Sequence, residues 1–280
     1  MSDLPPEDAL ATARRTAEVC GAILMDLFGV ISYDSKAGTS HDLITQADVD
    51  SERAGAGVIR AAHPGHIVLG EENATAPPPE DPASEPALWI IDPLDGTNNF
   101  AHGLPHFAVS VAYYERGEPV AGVVLNPARG DRFEACRGGG AHLIRPDHDP
   151  VALAVGHEQT LDNVLVGCGF YYDRGPMMRA TLAAIEEVFG HGIHGIRRMG
   201  TASLDLCMVA AGQLGAFFEY QLQPWDYAAG RLIVEEAGGR VTDALGDPLP
   251  MSKTSILATN GPLHEPLGPI LKRHATVNDA

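Results

Sequence analysis

The spacing of apolar positions divides this chain into readable segments. From residue 6 to 28, Leu10, Ala13, Ala17, Leu24 and Phe28 recur near a 3.6 period, which predicts a helix with one buried face. Pro5 and Pro6 stand where a helix start tolerates proline. A polar loop from Tyr33 to His41 and the run Asp42 to Thr45 lead to a second expected helix, about Gln46 to Ala62, which Pro64-Gly65 stops. His66 to Leu69 reads as a short strand ending at Gly70-Glu71-Glu72. Asn73 to Pro86, with three prolines in a row at Pro77 to Pro79, reads as a surface loop. The unbroken apolar run Trp89-Ile90-Ile91 predicts a strand buried on both faces.

Phe107 to Tyr114, Val120 to Leu125 and Arg132 to Ala135 follow as antiparallel strands, with Gly138-Gly139-Gly140 as a turn. That glycine cluster lacks the spacing of a nucleotide loop. A composition shift at Pro146 to Pro150 sets an expected boundary between residues 1–148 and 149–280. Beyond it come a strand at Val164 to Gly167, a helix at Pro176 to Phe189, and a helix at Thr201 to Gly212. A strand at Ala216 to Tyr220, a helix at Pro224 to Ala237, and short strands at Arg240 to Thr242 and Ser255 to Ala258 close the pattern. The expected architecture is mixed α/β, with helix layers over sheets.

Composition narrows the partners. The 280 residues are 45% hydrophobic and 20% charged, with a formal net charge of −18. That sign disfavours nucleic-acid backbones and anionic membranes, both of which need a basic face. No run approaches the ~18 apolar residues of a membrane span, and the N-terminus lacks a basic region followed by an apolar stretch. Cys20, Cys136, Cys168 and Cys207 show no CxxC spacing and read as reduced thiols in a cytoplasmic protein.

The chemistry concentrates in Asp92-Pro93-Leu94-Asp95-Gly96-Thr97. An apolar strand delivers two carboxylates, and a Gly-Thr pair follows that suits a helix start. Carboxylates at a strand end collect a hard cation, and helix-start N–H groups collect phosphate oxygens. Glu71, Asp226 and Asp48 are further oxygen donors at a strand end and in two helix starts. Helix-starting acids are commonly caps, which is the alternative reading for Asp48 and Asp226. For Asp92 and Asp95 that alternative fails, because a buried strand runs straight into them. Two unit charges ~4 Å apart repel by about 4 kcal/mol at an effective dielectric near 20, so gathered carboxylates call for a cation. An all-carboxylate set selects Mg²⁺ or Mn²⁺ over Zn²⁺. His191 and His194 lack a helical zinc frame and read as a loop pair.

Asp92 to Thr97 resembles the D-P-[IL]-D-G-T signature of the inositol monophosphatase family. Gly70-Glu71-Glu72 is similar to its G-E-E motif, and Trp225-Asp226-x-Ala228-Ala229-Gly230 with Glu236-Ala237-Gly238-Gly239 to its C-terminal signature. Asp42-x-x-Thr45-x-x-Asp48 and Gly200-Thr201-Ala202 also fit, and the matches run in family order. The resemblance implies a layered αβαβα sandwich and a Mg²⁺-dependent, lithium-sensitive phosphate monoester hydrolase, commonly a homodimer. Glu71, Asp92 and the Leu94 carbonyl would hold a first ion. Asp92, Asp95 and Asp226 would hold a second, and a third would sit near Glu71, helped by the loop containing Lys36. Asp48 and Thr97 would orient and deprotonate a metal-activated water for direct attack, while the Gly96 and Thr97 amides grip the phosphate. Gly200, Thr201, Ala202, Glu219 and Asp226 match positions that contact the substrate. The stretch Phe100 to Ser110 looks most like the inositol and fructose-bisphosphate branch. Inositol monophosphate is therefore the first expected substrate and fructose 1,6-bisphosphate the second, where Arg174, Arg179, Arg197 and Arg198 could meet a second phosphate. Histidinol phosphate and 3′-phosphoadenosine nucleotides are further substrates of the scaffold. A regulatory binding protein on this fold would be expected to lose a ligand, and none is missing.

Overall fold

The computed structural model describes residues 4–29, 33–35, 43–72 and 79–275. Helix α1 (Pro6–Leu27) starts directly after Pro5 and buries Ala9, Leu10, Ala13, Ala17, Cys20 and Leu24. A two-stranded ribbon, β1 (Tyr33–Ser35) with β2 (Leu43–Thr45), precedes α2 (Gln46–Ala62).

Seven strands form the first sheet, in spatial order β3 (Ile67–Gly70), β4 (Leu88–Asp95), β5 (Ala108–Glu115), β6 (Glu118–Asn126), β7 (Asp131–Cys136), β8 (Ala141–Ile144) and β9 (Val151–Ala152). Only the β3–β4 pair is parallel. Helix α3 (Thr97–Ala101) leaves the end of β4 at once. The second sheet has the order β11 (Gly195–Arg197), β10 (Leu165–Cys168), β12 (Ala216–Leu222), β14 (Thr254–Thr259) and β13 (Arg240–Thr242). The remaining helices are α4 (Pro176–Gly190), α5 (Ala202–Ala210), α6 (Pro224–Glu236) and α7 (His264–His274).

Side-chain alternation assembles these elements into five layers. On β5, Val109, Val111 and Tyr113 join the cluster under α1 and α2, whereas Ala108, Ala112 and Tyr114 join the cluster under α5 and α6. On β12, Phe217 and Leu222 face α5 and α6, while Ala216, Phe218 and Tyr220 face α4 and α7. Both sheets are thus covered on two faces, which is why their strands read as continuous apolar runs. The order is α1/α2, first sheet, α5/α6, second sheet, α4/α7: the αβαβα sandwich expected from the sequence.

Polar pins fix α6 against the first sheet. Ser110 Oγ donates to the Trp225 carbonyl at 3.2 Å and Tyr114 Oη to the Ala228 carbonyl at 3.1 Å. The glycine turn takes part as well, because the Gly138 and Gly140 amides donate to the Glu236 carboxylate at 2.8 and 2.9 Å.

Most predicted elements are found within a residue or two of their expected limits; the helix expected from Thr201 to Gly212 is Ala202–Ala210. Six elements escaped the pattern, among them β1, which falls in the expected polar loop, and β2 beside it. Strands β9 and β11 have two and three residues, too few to show a period, and β8 has four. Helix α7 carries Pro269 inside and Gly268 beside it, so it reads as a loop, although Leu267, Ile270 and Leu271 bury one face. All four cysteines are free thiols. No helix is long and apolar enough to cross a membrane, among the described residues.

Candidate active site

A regular strand would point Asp92 and Asp95 to opposite faces, since side chains alternate and the two are an odd number of residues apart. Strand β4 avoids this with an irregularity: Asp92 pairs with Ser110 but Asp95 with Ala108, so three steps on β4 match two on β5. The extra residue restores parity and brings both carboxylates to one cleft. Pro93 sits inside this break, where a missing N–H costs no ladder bond.

The cleft holds about 310 Å³. Its lining joins Glu71, Asp92, Leu94, Asp95, Gly96 and Thr97 to Gly200, Thr201, Ala202, Glu219 and Asp226. The expected metal, phosphate and alcohol contacts are therefore on one surface except Asp48, which is fully buried and adds to the electrostatic load on Asp92. Asp48, Glu71 and Glu72 each bring one carboxylate oxygen within 4.8 Å of the others. Glu52, buried on α2, holds that corner by accepting the Glu72 amide at 2.7 Å. Lys36 and Asp42 lie outside the described residues, as do Pro77 and Pro78.

Each carboxylate uses one oxygen to hold backbone. Asp92 Oδ1 accepts the Leu94 amide at 3.0 Å. Asp95 Oδ2 accepts both the amide and the hydroxyl of Ser203, at 2.7 and 2.6 Å. Asp226 Oδ2 accepts the Gln223 amide at 2.7 Å as half of a capping box. The capping reading of Asp226 is thus correct for one of its oxygens, and the residue still lines the cleft.

Crowding raises the acids' pKa values. Burial pushes Asp92 well above the ordinary carboxylate range, and Glu71, Asp95, Asp226 and Asp48 add to it. Asp226 is raised in the same way, by burial and then by Asp95 and Glu71. Asp95 is pushed up to about 6 by burial, against the opposing hydrogen bonds from Ser203. Glu219 is pushed up to about 8, again by burial, with Arg198 pulling the other way. A divalent cation relieves this repulsion, and the donor set suits a hard one: no histidine or cysteine lines the cleft among the described residues.

The starts of α3, α5 and α6 meet this cleft through Gly96 and Thr97, Thr201 and Ala202, and Trp225. Helix starts carry unpaired N–H groups and positive partial charge, so an anion is favoured beside the acids. Gly96 has φ +92°, and an added Cβ would stand 2.5 Å from Thr201 Oγ1. Only glycine lets the β4–α3 turn approach α5 so closely. Thr97 Oγ1 donates to the Leu94 carbonyl at 3.1 Å, which leaves its lone pairs available as acceptors. Asn99 Nδ2 ties α3 to the opposite wall through the carbonyls of His106 and Met199, at 2.7 and 3.0 Å.

Several lining residues were not anticipated: Asp205, Tyr171, Tyr172, Gln221 and Gln223. Asp205 did carry a signal, being the single charged residue in an otherwise apolar α5. Of the four arginines considered for a second phosphate, Arg198 lines the cleft and has no ion pair among the described residues. Arg174 donates to the Tyr171 carbonyl and Arg197 to the Ile196 carbonyl, both at 3.0 Å. His194 bonds Asn163 on the surface, and neither it nor His191 joins a metal-ligating group among the described residues.

A layered sandwich whose cleft sets gathered carboxylates against helix starts defines a phosphatase able to hold metal. The chain belongs to the Inositol monophosphatase family, which it matches over residues 6–275, and it is a phosphoric monoester hydrolase. It is 42% identical to an inositol-1-monophosphatase of Rhizobium meliloti over 83% of this chain and 84% of the relative. It is 39% identical to the Nus factor SuhB of Pseudomonas aeruginosa over 90% of this chain and 91% of the relative. Among solved structures, an IMPase from Thermotoga maritima superposes with a TM-score of 0.82 at 31% identity, covering 95% of this chain and 98% of the other.

Proposed function

We propose that this chain hydrolyses the phosphate ester of a small polyol, first of all myo-inositol 1-phosphate, with Mg²⁺ as cofactor. The observation that carries the reading is the meeting of Glu71, Asp92, Asp95 and Asp226 with three helix starts on one cleft. In this reading Glu71, Asp92, Asp95, Asp226 and the Leu94 carbonyl hold the ions. When bound, such ions neutralise phosphate oxygens, acidify water and stabilise the departing alkoxide. Mn²⁺ has the same preference for oxygen donors and would substitute.

The residues divide the remaining work. The amides of Gly96 and Thr97 receive two phosphate oxygens. Thr97, whose hydroxyl hydrogen points to Leu94, accepts a hydrogen bond from the attacking water and orients it. The water's proton passes toward Asp48, whose carboxylate comes within 4.8 Å of that of Glu71 on the cleft. The water oxygen bonds to phosphorus as the ester P–O bond breaks, and the alkoxide so released takes a proton from solvent water and leaves as the alcohol. The sequence offers no serine or cysteine in a nucleophile elbow, which supports direct attack by water. The wall of Gly200, Thr201, Ala202 and Glu219 receives the alcohol, together with Asp226. The cleft draws on both proposed halves, with Glu71 to Thr97 from residues 1–148 and Gly200 to Asp226 from 149–280.

Release of phosphate from myo-inositol 1-phosphate, measured with Mg²⁺ and with chelator, tests this directly. Fast release only with Mg²⁺ supports the reading; none in either condition removes inositol phosphate as the substrate. Fructose 1,6-bisphosphate is the second reading, because Arg198 brings an unpaired cation to the cleft. Faster turnover of the bisphosphate, lost in Arg198→Met, would put it first. The regulatory alternative, to which the name of the Pseudomonas relative points, predicts no turnover of any ester at saturating Mg²⁺. Inhibition by tens of millimolar lithium, a cytoplasmic location and a homodimer complete the proposal. Light scattering at twice 29.6 kDa would support the dimer.

A further inference from the structure

The cleft contains a carboxylate that the phosphatase mechanism does not use. Asp205 is in the first turn of α5 and is 1% exposed. Its side chain lines the cleft, yet no donor among the described residues reaches its buried Oδ1. A buried polar atom without a partner costs free energy, so a structural acid in this place would have acquired a donor. Glu219, 8% exposed on β12, lines the same cleft. Gly169 makes room for it, since a Cβ there would occupy the position of the Glu219 carboxylate. Arg198 supplies one positive charge nearby without forming an ion pair among the described residues.

Asp205 is not among the acids assigned to the ions above, and the cation that acts on it is Arg198, a poor neighbour for a metal ion. A hydroxyl fits better. It donates to a carboxylate and accepts from a carboxylic acid, so it satisfies Asp205 and Glu219 in either protonation state. One cation offsets one of the two acids, which favours an uncharged alcohol over a second phosphate at this wall.

Resting on the phosphatase reading above, we propose that Asp205 is a specificity-determining residue that, beside Glu219, bonds a second hydroxyl of the substrate's alcohol. The enzyme then selects esters of polyols over esters of simple alcohols. A site built to bond a hydroxyl rejects analogues that lack it, because its own buried group is left unpaired.

The test compares myo-inositol 1-phosphate with p-nitrophenyl phosphate, whose alcohol carries no further hydroxyl. Asp205→Ala is expected to lower kcat/KM on the inositol ester by about 30-fold, mainly through KM, and at least about tenfold less on the nitrophenyl ester. Asp205→Asn, which keeps an acceptor oxygen in place, is expected to recover most of the loss. Equal losses on both esters, or no loss on either, would overturn the assignment while leaving the phosphatase reading intact. Wild-type protein inert toward both esters would overturn the phosphatase reading and this one with it. A measurement on the unmutated enzyme guards against a variant that does not fold. Among mono-deoxy inositol 1-phosphates, at least three missing hydroxyls, one each for Glu219, Asp226 and Asp205, should each cost about tenfold or more. Two sensitive hydroxyls or fewer, accounted for by Glu219 and Asp226, would overturn the proposal.

Discussion

Ser203 grips Asp95 twice across 108 residues of sequence, with its amide at 2.7 Å and its hydroxyl at 2.6 Å on the same carboxylate oxygen. The contact joins the end of β4 to the start of α5, and Asp95 also lines the cleft. Both bonds pull the Asp95 pKa down against the effect of burial. Ser203→Ala removes a charge-assisted bond of about 1.5–3 kcal/mol. We predict that the Mg²⁺ concentration for half-maximal activity rises about tenfold in this variant, with the fold retained. An unchanged Mg²⁺ titration would mean that the serine serves α5 alone.

The crowded acids make metal binding depend on pH in a known direction. Burial pushes Asp95 up to about 6, so protons would compete with a bound cation below that pH. In chelator the raised pKa favours the folded state at low pH, and that contribution is lost as pH rises through about 6. Saturating Mg²⁺ at pH 8 should raise Tm by on the order of 5 °C. The increment should shrink toward zero between pH 6 and 4. Using the difference at each pH cancels titrations remote from the site. A constant increment across this range would contradict the ligand assignment.

Gly169 offers a way to perturb alcohol recognition without touching a charged group. A methyl at this position would collide with the Glu219 carboxylate. Gly169→Ala should therefore raise KM for a polyol phosphate by about tenfold while kcat falls little, the pattern of lost ground-state binding. Loss of kcat with constant KM would place Glu219 among the groups acting on phosphorus.

His264, far from the cleft, should govern part of the acid sensitivity of the fold. Thr242 Oγ1 donates to the Asp243 carbonyl, so it accepts from His264 Nε2, while Thr259 Oγ1 faces Nδ1 at 3.1 Å. The neutral ring satisfies both threonines, and burial, then the Arg240 charge, lowers its pKa to about 4. A depressed pKa contributes stability above the unfolded value near 6.5, and that stability is lost as pH falls toward 4. At about 1.4 kcal/mol per unit the loss approaches 3 kcal/mol. Urea titrations should show the stability gap between wild type and His264→Asn closing over that range. A gap independent of pH would refute the assignment.

Much of this arrangement was legible before any coordinates. The apolar run into Asp92, the Gly96-Thr97 helix start and the acids at Glu71 and Asp226 all pointed to a cation beside a phosphate. Their meeting was legible only as far as family order allowed, because contacts such as Asp95 with Ser203 depend on the packing of α5 between two sheets. The β4 irregularity had a local cue in Pro93, but its effect on side-chain parity appears only once β5 is paired with it. Asp205 stayed hidden for another reason: one acid in an apolar helix could face solvent, a salt bridge or a ligand, and periodicity does not choose among them. Helix α7 was concealed by its own proline, which the burial of Leu267, Ile270 and Leu271 outweighs.

The capping box at the start of α6 gives Asp226 two employers. One oxygen closes the first turn of a helix buried between the sheets, while the residue also lines the cleft. Losing the side chain would loosen a central helix as well as abolish turnover. A lineage that ceased to use the chemistry would still be under pressure to keep this aspartate, for the sake of folding. Within such a scaffold an intact acidic motif records architecture and catalysis together, and measured turnover is what separates them.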